Sequence, residues 1–265
     1  MPEGHTVRRD ARRLGERFAG SPVVVSSPQG RFEEGAALLD GRTMVATDAH
    51  GKHLLADFDD GRTLHVHLGL YGKWTTGDGV PEAPRGQVRL RLEGERGWAD
   101  LRGPTACEVL DPEGVDALHA RLGEDPLRAD ADPAVAWARV HRSRSSTAGL
   151  LMQQEVVAGV GVVYRAEVLF RAGINPYRPG RELQEGEWDA LWSDLVTLMA
   201  AGVRAGRIVT TRPEHRTRRS GRPTRADAFY VYRRQGQPCR VCGTEIAYAQ
   251  LAARNLTWCP SCQPE

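Results

Sequence analysis

Four of the chain's five cysteines crowd into its last 27 residues, as Cys239-x2-Cys242, an interval of sixteen residues, and Cys259-x2-Cys262. Two such knuckles suit a tetrahedral zinc site with four thiolate ligands, with a β-hairpin between them. Two disulfides or a redox pair are the alternatives. The opening MPEGHTVRRD is polar and charged and lacks the apolar stretch of a secretory signal, which weighs against disulfides. A segment this short cannot bury a useful core, so metal binding would supply its folding energy. With all four positions filled by protein, the expected cofactor is one structural zinc ion, with no organic cofactor. The motif alone does not separate a nucleic-acid reader from a protein-binding ribbon. Cys107 stands apart and reads as a small buried hydrophobe.

The other 238 residues must fold around this unit. The whole chain has 265 residues and 40% hydrophobic content, enough for two modest domains or one large one with an appendage. No run of about 18 apolar residues occurs, so no membrane partner is expected and a cytoplasmic, nucleoid-associated location is the default. Net charge is only +2, but its distribution is uneven. Eleven arginines lie between Arg204 and Arg240 against Glu214 and Asp227 alone. Arg8, Arg9, Arg12, Arg13 and Arg17 add a second basic cluster, whereas 108–132 is acid-rich. A basic surface set against an acidic segment suggests a side that faces a polyanion.

Val7, Ala11, Leu14 and Phe18 recur at helical spacing over 5–18, with arginines on the other faces. From 22 to about 110, alternating runs such as TLHVHLG and VRLRLEG, punctuated by Asp60-Gly61 and Glu93-Gly94, predict antiparallel β structure folded as a sandwich or flattened barrel. Pro, Gly, Asp and Glu then predict a linker with a short helix at 114–122. Helical texture follows through AVAWARV, LLMQQEVVAG and VVYRAEVLFRAG. Trp188, Leu191, Trp192, Leu195, Leu198 and Met199 mark a further helix with Glu185 and Glu187 in its first turn. Residues 204–228 read as a mobile basic loop. The expected class is multidomain α+β, divided as 1–115, a linker at 116–134, 135–228 and 229–265.

Pro2 follows the initiator Met. Removal of Met would leave a secondary amine able to attack a sugar C1′ and form an iminium adduct. An α-amino group with a pKa near 8 is partly neutral at pH 7. In isolation this says little, but MPEG, HGKHLL, HLGLYGKW, DLRGP, LLMQQEVVAGVGVVYRAEVLFRAGINP and the paired CxxC motifs occur in one order. In that order the chain resembles the formamidopyrimidine-DNA glycosylase/endonuclease VIII family along essentially its whole length, and more closely the endonuclease VIII branch.

The resemblance implies an N-terminal antiparallel β-sandwich with an N-terminal helix, a helix-two-turn-helix domain and a four-cysteine zinc ribbon, with damaged DNA held between the domains. It implies a bifunctional glycosylase and abasic-site lyase of base-excision repair, acting on oxidised bases, pyrimidines above all, by β,δ-elimination. Pro2 would be the nucleophile, Glu3 the acid/base and Lys52 the turn lysine that contacts phosphate and assists catalysis. Leu70 and Tyr71 would wedge into the duplex and replace the stacking lost when the target nucleotide is flipped; the plain alternative is that both pack a core. Gly159 and Gly161 would shape a helix-start turn whose amides grip phosphate, and Arg254 would hold phosphates beside the lesion. The partner is damaged DNA, duplex or single-stranded and bubble, bound by a monomer.

Three positions depart from the family pattern: Thr6 stands where a second glutamate is usual, Val162 where asparagine follows the turn glycine, and Gln153-Gln154 where Asp-Gln is common. They motivate a competing reading, a specialised or catalytically reduced relative that recognises other, bulky adducts. Pro2, Glu3 and Lys52 are retained.

Overall fold

The computed structural model describes residues 2–265. The chain divides into two compact units, Met1–Arg121 and Leu122–Glu265.

The first unit opens with α1 (Gly4–Phe18), whose Val7, Ala11, Leu14 and Phe18 are buried as the spacing predicts. Glu3 caps it in extended conformation, its carbonyl accepting from Thr6 N at 2.8 Å. Nine strands follow, all paired antiparallel. β1 (Ser21–Pro22), β3 (Thr43–His50), β4 (His53–Phe58), β5 (Thr63–His67) and β9 (Ala106–Leu110) form one sheet in the order β1-β3-β4-β5-β9. β2 (Val24–Ser26), β6 (Lys73–Gly77), β7 (Val88–Gly94) and β8 (Gly97–Arg102) form the other in the order β2-β7-β8-β6. Alternation along β7 sends Val88, Leu90 and Leu92 to full burial. Leu90 and Leu92 join Leu54 and Val66 of the other sheet, and Leu14 of α1, in one core.

Three local expectations shift. The turn expected at Glu93-Gly94 falls on Glu95 and Arg96, because β7 runs on through Gly94, which pairs with Gly97. A helix absent from the sequence reading, α2 (Glu33–Leu39), turns only Ala36 and Leu39 inward, too few positions to display a period. The segment read as a linker begins with α3 (Pro112–Ala120), capped by Asp111, which accepts from Gly114 N at 2.8 Å. Beyond it, Gly123 N donates to Gln154 O at 2.8 Å and Glu124 O accepts from Ala158 N at 2.9 Å, so this stretch is tied to the second unit.

The second unit contains α4 (Pro133–His141), α5 (Thr147–Leu150), α6 (Val162–Ala172), α7 (Glu185–Ala205) and a hairpin of β10 (Ala247–Leu251) and β11 (Arg254–Trp258). Most of the LLMQQEVVAG stretch forms turns between α5 and α6 rather than helix. Trp188, Leu191 and Leu195 of α7 pack with Tyr164 and Val168 of α6. Gln184 and Glu187 form a capping box at the start of α7. Among the described residues no helix is long and apolar enough to cross a membrane.

One carboxylate organises the base of the basic 204–228 segment. Glu167, fully buried on α6, accepts from the amides of Tyr230, Val231 and Tyr232 at 2.7–2.8 Å and from the hydroxyl of Thr210. Burial raises its pKa, and these four donors oppose the rise. Thr210 N and Ala228 O, 2.9 Å apart, close the two ends against each other. While the Thr210 hydroxyl keeps Ala228 O at 3.1 Å, Glu167→Ala would orphan the three amides. Its expected cost is at least about 3 kcal/mol, read as a lower midpoint in urea unfolding; an unchanged midpoint would refute the anchoring role.

Candidate functional site

At one end of the first unit, α1 is fastened to β3 in a fixed register. Thr47 Oγ1 donates to Ala11 O at 2.7 Å, and Arg8 bonds to Asp48 and to Ala49 O. Gly15 permits the close approach, since a Cβ there would lie 2.5 Å from Thr47 Oγ1. Residue numbers fall along α1 as they rise along β3. Eight residues of helix from Ala11 to Glu3 span about 12 Å, and four residues of strand from Thr47 to Gly51 span about 13 Å. The start of α1, with Pro2 and Glu3, therefore reaches the level of the Gly51-Lys52 turn.

Pro2 is partly exposed, whereas Glu3 is fully buried. His5 beside them is neutral at pH 7: burial, then Arg9 and the chain-terminal ammonium, push it down to about 4. Thr6, at the position where the family usually has glutamate, places Oγ1 3.2 Å from His5 Nε2. Lys52 occupies a two-residue turn closed by the pair His50 and His53, with Gly51 at φ 60°.

Leu70 and Tyr71 lie at this end as well, because His53 pairs with His67, the last residue of β5. Gly72 N closes the turn onto Leu68 O at 2.9 Å, and a Cβ on Gly72 would meet that oxygen at 2.2 Å. Leu70 is 59% exposed and Tyr71 86% exposed. The plain core-packing alternative for these two residues therefore fails: they stand out from a tight turn.

The second unit holds the remaining sequence candidates. Gly159 takes φ 87°, and its amide donates to Gln154 Oε1 at 3.0 Å while Gln154 Nε2 donates to Val160 O at 3.0 Å. Gln154 thus locks the turn, and what Gly159 supplies is its left-handed backbone, its amide being already engaged. Gly161 caps α6 in extended conformation, with Val162 in the first helical position. Arg254 is exposed at the start of β11, after a hairpin turn in which Ala252 and Ala253 both adopt positive φ. It lines a hollow of about 450 Å³ with Ser146, Met152, Gln153, Arg165 and Leu251. Arg165 donates to Asn255 O at 2.6 Å, fixing its guanidinium against the hairpin. Two guanidinium groups in one concavity suit an anionic oxygen. Sequence reading missed Arg165; its signal was a cation flanked by Tyr164 and Ala166 in α6.

The four C-terminal cysteines converge, with Sγ atoms all within 4.8 Å of one another. Cys239 and Cys262 are 3.8 Å apart and Cys242 and Cys259 3.5 Å. A tetrahedron with zinc–sulfur bonds of 2.3 Å has edges of about 3.8 Å, so the donor set fits one zinc ion and the spacing excludes disulfides. Gln263 ties the site to the end of α6, accepting from Cys259 N at 3.0 Å and donating to Ile174 O at 2.9 Å.

Comparison with known proteins agrees with this architecture. The formamidopyrimidine-DNA glycosylase N-terminal domain matches residues 1–107, the formamidopyrimidine-DNA glycosylase H2TH domain 122–213, and the zinc finger found in FPG and IleRS 236–264. Endonuclease 8 1 of Mycobacterium tuberculosis is 52% identical over 268 residues, covering 99% of this chain and 100% of the relative. Formamidopyrimidine-DNA glycosylase of Methylococcus capsulatus is 34% identical over 278 residues, covering 99% and 100%. Lactococcus lactis Fpg, solved in complex with DNA containing an abasic site, superposes with a TM-score of 0.82 at 24% identity, covering 99% and 100%. On these grounds the chain belongs to the formamidopyrimidine-DNA glycosylase/endonuclease VIII family of DNA-repair glycosylases.

Proposed function

We propose that this glycosylase is bifunctional, excising oxidised bases, pyrimidines above all, and then cleaving the abasic strand through Pro2. The observation that carries the reading is the fully buried Glu3 next to Pro2, on a helix whose start lies level with the Lys52 turn. With Met1 removed, the Pro2 nitrogen attacks C1′ of the damaged nucleotide and the glycosidic bond breaks, the base leaving with a proton. Glu3 delivers a proton to the deoxyribose oxygen, the ring opens and an iminium links Pro2 to C1′. The iminium acidifies the C2′ hydrogen, whose loss expels the 3′ phosphate. A second elimination expels the 5′ phosphate, and water releases Pro2. Lys52 neutralises phosphate charge beside the reacting sugar. Leu70 and Tyr71 fill the gap in the duplex, and their exposure supports that assignment. Arg254 and the turn at Gly159 and Gly161 grip the backbone on the second unit.

Borohydride trapping tests the reading. Native-terminus protein mixed with duplex DNA bearing one abasic site should give a covalent band after reduction, and digestion should place the adduct on Pro2. A zinc-loaded protein lacking Met1 that gives no band would turn the assignment towards a binder of other adducts, the alternative that Thr6 and Val162 motivate.

A further inference from the structure

Five of the chain's eight histidines surround the Lys52 turn: His50, His53, His65, His67 and His119. No step above uses them. Glu108 on β9 pairs with His65 on β5, and His67 pairs with His53 on β4, so these side chains share one face of the five-stranded sheet. That face is the opposite of the one carrying Leu54, Leu64 and Val66 into the core.

Their contacts form a continuous series. Glu108 Oε1 lies 2.8 Å from His65 Nδ1, and His65 Nε2 lies 2.8 Å from His53 Nδ1. A carboxylate accepts, so His65 donates from Nδ1 to Glu108 and turns its Nε2 to His53. One nitrogen of the His65–His53 pair donates and the other accepts, and the contact holds the His53 ring in a fixed orientation. His53 is one residue from Lys52 and forms half of the pair that closes the turn. On the other strand His50 is held by His119 of α3, with their Nδ1 atoms 2.9 Å apart.

We propose that Glu108, His65 and His53 form a hydrogen-bonded chain that orients the Lys52 turn, making them positioning residues for strand cleavage at an abasic site. The proposal rests on the role given to Lys52 above. The surroundings keep the chain intact. Burial first, then His65, His67, Arg121 and His50, push His53 down to about 3, so the ring stays neutral and the bond between the two imidazoles persists at working pH. His67, lowered by burial and then by Lys52, accepts from Gly69 N at 3.2 Å, so the same cluster also touches the base of the turn bearing Leu70 and Tyr71. The Glu108 side chain is 55% exposed, whereas His65, which it holds, is buried.

The test compares Glu108→Leu, which removes the acceptor, with Glu108→Gln, whose amide oxygen still accepts from His65 Nδ1. Single-turnover cleavage of a preformed abasic site is measured at saturating protein, with the melting temperature and the affinity for DNA carrying an uncleavable abasic analogue. Glu108→Leu should slow cleavage about tenfold, with affinity and melting temperature unchanged, and Glu108→Gln should stay within about twofold of wild type. Cleavage by Glu108→Leu at the wild-type rate, or equal slowing by both variants, would overturn the positioning role alone. Wild-type protein that fails to cleave the abasic strand would overturn the lyase reading and this inference with it.

Discussion

With one uncleavable residue joined ahead of Pro2, the protein is expected to lose borohydride-dependent crosslinking to abasic DNA completely, while its affinity for the same DNA changes by no more than a few-fold. A proline nitrogen inside the chain is a tertiary amide. Its lone pair is delocalised into the carbonyl, and it can neither add to C1′ nor form an iminium. Nothing else in the fold need change, because α1 is fastened to β3 through Arg8, Ala11 and Gly15, well after the terminus. The added residue's own α-amine and the Lys52 side chain, in the turn after β3, are the remaining amines, and digestion of any residual adduct shows which of them carries it. A trapped adduct on Lys52 in the blocked protein, at the wild-type yield, would end the case for Pro2.

Stripping the metal should have the next largest effect. Cys239 and Cys259 are buried and pack with Ala166, Phe170, Tyr230, Val231 and Ile246 in one small cluster, so the ligands are also core atoms. Without zinc, four thiolates within 4.8 Å repel or take up protons. The β10–β11 hairpin then loses its support, and Arg254 and the Arg165–Asn255 contact lose their frame. Metal analysis should find one zinc per chain, and chelation or Cys259→Ser should weaken DNA binding by on the order of a hundredfold. The sandwich core of the first unit should persist, read as a separate unfolding transition. Metal-free protein that binds DNA like the loaded form would refute the structural role of the ribbon in recognition.

What could be read from the sequence followed a simple physical divide. The metal site was legible because four ligands declare themselves by type and spacing. α1 was legible because Val7, Ala11, Leu14 and Phe18 repeat a helical period, and β7 because Val88, Leu90 and Leu92 alternate. Pro2, Glu3, Lys52, Leu70 and Tyr71 were nameable only through ordered motifs. That they gather at one end of a sheet depends on the docking of α1 on β3 and on the pairing of His53 with His67, which local sequence does not encode. The chain from Glu108 through His65 to His53 joins three strands, each contributing one residue of ordinary appearance. Glu167 was equally hidden: an acid in a helix looks solvated until four donors from distant segments are seen to converge on it. In the Gln153-Gln154 pair the departure from Asp-Gln is Gln153; Gln154, which keeps the glutamine, bridges Val160 O and the Gly159 amide across the turn.

The clasp at Glu167 has a consequence for how such a protein can be altered. Because Thr210, Thr211, Asp227 and Ala228 are joined at the neck of the segment, what lies between them is a cassette with fixed sockets. Lengthening such a loop costs free energy that grows only with the logarithm of its length, about 0.6 kcal/mol per doubling. Insertions or exchanges between Arg212 and Ala226 can therefore be accommodated without moving the helices or the ribbon. A lineage, or an engineer, can rewrite this cassette while the rest of the scaffold stays in place.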